Sequence, residues 1–158
     1  MKSAASPPEP TIRRRVFDAW SIEIPATFDE TFVEPEGYWH AWEKDRSVSL
    51  SSFLLAEANR PVDAERILRQ VPPLDGLPVD ELPDGLLGRA ATCLEPEPAG
   101  VSQHLAGMLA MDGRLLMATI TADDLAWCRR TWMSIRGHDA PLPPPGRTRT
   151  RGRRTDRH

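Results

Sequence analysis

The order of apolar and polar positions divides the chain into strand-like and helix-like stretches. In residues 19–25, Trp20, Ile22 and Ile24 alternate with Ala19, Ser21 and Glu23. This is the period-two signature of a strand with one face inward, and Pro25 closes it. Residues 38–45 (YWHAWEKD) and 47–55 (SVSLSSFLL) predict two more strands, joined by a tight turn near Asp45-Arg46. On the first, Tyr38, His40 and Trp42 share one face while Trp39 and Ala41 share the other. On the second, Ser47, Ser49 and Ser51 stand opposite Val48, Leu50 and Ser52. Residues 59–71 (NRPVDAERILRQV) carry Pro61 at a helix start, Asp63 and Glu65 in the first turn and Arg69 in the last. That charge order suits a helix dipole, and the helix is short.

Residues 72–85 (PPLDGLPVDELPDG) hold four prolines and two glycines, so they belong to neither a strand nor a helix interior. Leu74, Leu77, Val79 and Leu82 are expected to pin this long loop in places. Residues 86–96 read as a strand. Residues 104–120 (HLAGMLAMDGRLLMATI) then give a hairpin about Asp112-Gly113, a dipeptide favoured by type I′ turns. Counting outward places Leu109 opposite Leu116, Gly107 opposite Ala118 and Leu105 opposite Ile120 on one face. Ala110 with Leu115 and Met108 with Met117 occupy the other. With both faces apolar, the hairpin is expected to be covered on both sides.

Residues 121–132 (TADDLAWCRRTW) crowd carboxylates, a thiol, guanidinium groups and indoles together. Thr121 and Asp124 have the spacing of a capping box, with Asp123 adding charge that suits a helix start. Leu125, Cys128, Trp132 and Ile135 form a single apolar stripe, and Gly137 supplies a stop. This favours a buried structural helix over a reactive site. Trp127 falls off the stripe and is expected either to cap a neighbouring element or to meet a partner.

Composition sharpens the boundaries. Of 158 residues, 20 are basic and 23 acidic, for a net charge of −3, but residues 147–158 hold six arginines and one acid. The rest is therefore acidic, and the tail (Arg147, Arg149, Arg151, Arg153 and Arg154 among its arginines) offers a salt-sensitive contact for an anionic partner. The expected organisation is a disordered basic, Pro-rich segment over 1–15, an irregular acidic stretch over 26–37 within one domain over 16–138, and a disordered Pro-rich spacer and Arg-rich tail over 139–158. The two cysteines suggest reduced thiols, and no apolar run resembles a signal-peptide core or a membrane span, so a cytoplasmic location is expected. The histidines and cysteines lack metal-ligand spacing, and no phosphate-loop or nucleophile motif occurs, so no catalytic residue, cofactor or metal is expected.

The order strand, strand, strand, helix, long loop, strand, hairpin, helix resembles the PsbP-like superfamily. The resemblance runs from Trp20, Ile22, Ile24 and Pro25 to a closing helix with Leu125, Trp127, Trp132, Ser134 and Ile135. Its members include an extrinsic subunit of photosystem II, a nuclear-import factor that binds the Ran GTPase, and many bacterial proteins. It implies an antiparallel sheet with helices on both faces. Joined to the two-sided hairpin, it makes the expected fold α+β: a three-layer α/β/α sandwich around about six antiparallel strands. The expected function is a non-catalytic protein-interaction or assembly module of a bacterial cytoplasm. Its contact surface is sought among Trp127, the loop leucines Leu74, Leu77 and Leu82, and the Tyr38, His40, Trp42 face, with the acidic segment over 28–36 as a further element. Two alternatives are a small-molecule pocket or enzyme site beside Tyr38, His40 and Trp42, and nucleic-acid or acidic-partner binding through the tail.

Overall fold

The computed structural model describes residues 8–33, 37–70, 80–82, 86–97 and 100–139. In chain order its strands begin with β1 (Thr11–Val16), β2 (Trp20–Pro25), β3 (Asp29–Val33), β4 (Tyr38–Glu43) and β5 (Arg46–Leu54). A small ribbon of β6 (Ala56–Glu57) and β7 (Arg60–Pro61) leads into helix α1 (Ala64–Gln70). Then come β8 (Asp80–Glu81), β9 (Leu87–Glu97), β10 (Gly100–Met111), β11 (Arg114–Thr121), helix α2 (Leu125–Met133) and β12 (Arg136–Gly137). The large sheet has seven strands in the order β3-β4-β5-β11-β10-β9-β8, and a second sheet of three runs β1-β2-β12. Every pairing in both is antiparallel.

The expected α/β/α sandwich of about six strands is therefore incorrect. The described chain is mostly strand, with helices of only seven and nine residues. The reason is one of size. Seven strands spaced about 4.8 Å apart span roughly 29 Å, whereas nine helical residues extend only about 14 Å. On the inner face of the large sheet the missing cover comes from the small sheet together with α2. Trp20, Ile22 and Ile24 of β2 and Cys128, Trp132 and Ile135 of α2 and its exit pack with Val48, Leu50, Leu105, Leu109, Leu116 and Ile120 in one buried cluster. Among the described residues, the outer face is covered by α1, whose Ile67 and Leu68 pack on Met108, Ala110 and Leu115.

The hairpin pairs as the alternation predicts, from Leu105↔Ile120 to Ala110↔Leu115. Its turn differs. Only Gly113 takes positive φ (76°), so the type I′ form is absent. Asp112 serves another element: its Oδ1 accepts the Ala64 amide at 3.0 Å, holding the first turn of α1 to the hairpin tip. Asp63 accepts the Arg66 amide at 2.9 Å, and Pro61 belongs to β7 rather than to the helix start.

Two expectations about α2 shift in register. Asp124 is itself the N-cap, accepting the Ala126 amide at 2.9 Å, so the capping box from Thr121 does not form. The helix ends at Met133, and Gly137 pairs with Trp20 in β12 instead of stopping it. At the other end, β1 lies largely inside the stretch assigned to disorder. Arg13 donates to Ser21 Oγ and to the Ser134 carbonyl, both at 3.0 Å, and Arg14 pairs with Glu30 at 2.7 Å. The irregular stretch over 26–37 also contains a strand, β3. No helix among the described residues is long and apolar enough to cross a membrane.

Candidate functional site

Register and burial together mark where the molecule is open. On the outer face of the large sheet, Tyr38, Ser51, Met117 and Met108 form one cross-strand row. His40, Ser49, Thr119 and Ala106 form the next, and Trp42, Ser47, Thr121 and His104 the third. Met108 is 2% exposed because α1 lies over it, while its cross-strand neighbour Met117 is 38% exposed. Phe53, at the end of β5, is 45% exposed. The cover stops between two adjacent strands. This overturns the expectation that the hairpin is sealed on both sides along its length.

On the open part, strand geometry places side chains two residues apart side by side. The Tyr38 and His40 rings lie 6.0 Å apart at 12°, and the His40 and Trp42 rings 5.2 Å apart at 18°. Tyr38 donates its hydroxyl to Ser49 Oγ at 2.7 Å, and Ser49 Oγ lies 2.8 Å from His40 Nδ1. With Tyr38 as donor, the Ser49 hydrogen is available to Nδ1, which leaves the proton of a neutral imidazole on Nε2. All three rings are half-buried, with edges reaching solvent.

A hydroxyl within reach of an imidazole is the first part of a nucleophile–base pair. Here the hydrogen-bond partners of His40 are two hydroxyls, Tyr38 and Ser49. A nucleophile–base pair uses a third group to orient the base, and among the described residues that role falls to no carboxylate. What the face offers is a rigid edge of aromatic rings, a row of hydroxyls and the apolar surface of Phe53 and Met117. A depression of about 270 Å³ lies among Tyr38, Ser49, Ser51, Phe53, Met117 and Thr119. Concave small-molecule sites start at about 300 Å³, so this one is shallow for such a ligand.

The other residues singled out from the sequence do not join this surface. Trp127 is 8% exposed, so it is not free to meet a partner. Its ring packs 6.0 Å from Phe28, and the Arg46 guanidinium lies 5.2 Å from its centroid and 5.4 Å from that of Phe28. Arg46 is held there by both Glu9 oxygens, at 2.6 and 2.8 Å, and by Glu43 at 3.1 Å. Its charge, chiefly through hydrogen bonding, holds the Glu9 carboxyl below the usual carboxylate range. Leu82 is buried, with its amide bonded to the Leu86 carbonyl. Leu74, Leu77 and the tail arginines Arg147, Arg149, Arg151, Arg153 and Arg154 lie outside the described residues. Of the acidic segment, Asp29–Val33 is the exposed edge strand β3, and residues 34–36 lie outside the description.

Cys128 is a buried free thiol, as the stripe implied. Burial above all, and then the Asp124 carboxylate, pushes its pKa up, which suppresses the reactive thiolate. The residues that complete the outer face were missed as site residues: Ser49, Ser51, Phe53, Met117 and Thr119. Their signal was present in the alternation of serines along β5, a face too polar to be part of a dry core.

No family model matches the chain, and no curated protein matches it. Among solved structures, the chain is similar to a crystal structure from Bacteroides thetaiotaomicron VPI-5482, with 10% identity and a TM-score of 0.57. The match covers 79% of this chain and 47% of that one, so the chain spans about half the length of the protein it resembles. At this identity the likeness concerns the fold alone.

Proposed function

We propose that the protein is a non-catalytic binding module that receives a segment of a partner protein on the uncovered outer face of its large sheet. The observation that carries this reading is the step in burial between Met108 and Met117, paired across two neighbouring strands. Exposed apolar side chains rimmed by polar groups mark contact surfaces, and here Phe53 and Met117 sit among Tyr38, Ser49, Ser51 and Thr119, with His40 beside Ser49. These groups are neutral hydrogen-bonding and apolar ones, so the partner segment is uncharged, with an aliphatic or aromatic side chain for the depression. Its binding is insensitive to salt. Members of the PsbP-like superfamily mostly act as binding factors, which favours the same class of function, although the sandwich they imply is not the fold built here. A cytoplasmic setting belongs to this proposal.

The test is affinity capture with the intact chain, a Met117→Lys variant and a chain ending at residue 146. The account expects one partner set shared by the intact and shortened chains and lost from Met117→Lys, with retention unchanged by salt. Loss with the shortened chain alone would move the contact to the arginine tail. A metabolite that raises the Tm of the intact protein but not of His40→Ala would replace the partner with a small ligand.

A further inference from the structure

The joint between the small sheet and α2 holds a cleft of about 430 Å³, larger than the depression of about 270 Å³ on the outer face. That volume lies within the range of concave small-molecule sites. The two walls are clamped together. Ser134 Oγ, at the end of α2, accepts the Glu23 amide of β2 at 3.0 Å and donates to the Thr131 carbonyl at 2.6 Å. Arg13 of β1 adds a bond of 3.0 Å to the Ser134 carbonyl. Pro25, Trp127 and Thr131 are the buried part of the lining, and Glu23 and Arg130 are exposed at its rim. An apolar interior with a few polar groups is the usual anatomy of a ligand site.

Two opposite charges line this cleft without meeting. Glu23 comes from β2 and Arg130 from α2, and they form no ion pair with each other. Arg13 stands 3.6 Å from the Glu23 carboxylate, beyond hydrogen-bond range, and its Nη1 is committed to Ser21 and Ser134. Among the described residues, nothing donates a hydrogen bond to that carboxylate and nothing pairs with the Arg130 guanidinium. Glu9, the third charge of the lining, is already held by Arg46 at 2.6 and 2.8 Å. One wall therefore keeps free acceptors and the other free donors. We propose that the cleft binds a zwitterionic small molecule, a free α-amino acid with an aromatic side chain. Its ammonium meets Glu23, its carboxylate meets Arg130, and its ring packs on Trp127 and Pro25. Both polar contacts are charge-assisted, and the indole gives an aromatic ring more than area alone. Exposed charges cost little when unpaired, so these two supply orientation and the buried lining supplies contact. The site lies on the opposite side of the large sheet from the face described above and uses none of its residues.

Isothermal titration calorimetry of the full chain with L-phenylalanine tests the proposal. Saturable binding is expected. Phenethylamine, which lacks the carboxylate, and hydrocinnamate, which lacks the ammonium, should each bind at least ~10-fold more weakly. Arg130→Gln should bind phenylalanine no better than phenethylamine, and Glu23→Gln should bind it no better than hydrocinnamate. Both positions are exposed, and Tm identifies any variant that has lost its fold. Met117→Lys, on the outer face, should bind phenylalanine as the parent does. Absence of binding at ~10 mM ligand, well above a millimolar dissociation constant, overturns the proposal. So does equal binding of the two analogues and phenylalanine, or full affinity in both cleft variants. Loss of binding in a folded Met117→Lys would move the ligand to the outer face and overturn it as well.

Discussion

The two faces of the seven-stranded sheet are made by the same strands and have different fates. Toward the inside, Leu50, Leu109, Leu116 and Ile120 are fully buried beneath the small sheet and α2. Toward the outside, one residue away on the same strands, Ser49, Ser51, Met117 and Thr119 line an open depression. Strand sequence therefore does not decide burial alone; the size of the covering element does. A nine-residue helix seals the inner face only because three additional strands lie beside it, while α1 covers a corner of the outer face.

This contrast is broken most severely from the inside. Leu116→Ala should lower the unfolding free energy by roughly 3 kcal/mol, from lost transfer energy and the cavity left behind. The adjacent Met117→Ala should cost less than about 1 kcal/mol. Urea titration of the two variants measures the difference, and equal losses would show that both faces are packed alike.

Gly107→Ala comes next. The Trp132 ring occupies the space a Cβ would need, and the Arg89 carbonyl is 3.0 Å from it. The added methyl must displace an indole in the centre of the inner cluster, so a loss of about 2 kcal/mol is expected in the same titration. The equivalent change in volume on the outer face, Ser51→Thr, should lie within about 0.5 kcal/mol of the parent.

At the margin of the inner face, Arg46→Ala removes the cation over Phe28 and Trp127 together with the ion pairs to Glu9 and Glu43. About 1–2 kcal/mol should be lost, and tryptophan fluorescence should report Trp127 becoming more exposed. The smallest effect is the contribution of Glu9. Its carboxyl titrates below its ordinary value of 4.5, mainly because Arg46 donates hydrogen bonds to it. The stabilisation is therefore present above the ordinary value and lost as pH falls through the lower folded one. For a pair this exposed it amounts to a few tenths of a kcal/mol. A Tm difference between parent and Glu9→Gln should be seen at neutral pH, and should close in acid below 4.5 and in high salt.

The sequence exposed local pairing better than layering. Alternation in residues 104–120 is strict enough that a one-residue slip would exchange both faces, so the register was legible down to Leu105↔Ile120. The stripe through Cys128 and Trp132 likewise identified a buried helix. For Trp127 the stripe left two roles open, and the structure takes the first, packing against a neighbouring element; the choice was not legible because Phe28 and Arg46, which cover the ring, are distant in sequence. The extra sheet was missed because Arg13, Arg14 and Arg15 look like solvated charge, whereas the backbone between them pairs with β2. As for the open face, the hairpin was read from its tip, where α1 makes both sides apolar. The serines of β5 already showed that this cover does not continue across the sheet.

Thiol labelling measures that boundary directly. In a Cys93→Ser background, cysteine is placed at Met117 or at Met108, with the buried Cys128 as an internal reference. A bulky thiol reagent under native conditions should modify position 117 at nearly the rate of an unfolded peptide, and position 108 at least ~10³-fold more slowly, limited like Cys128 by opening of the fold. Protection of position 117 to the same degree as Cys128 would mean that the outer face is covered, and would contradict the account.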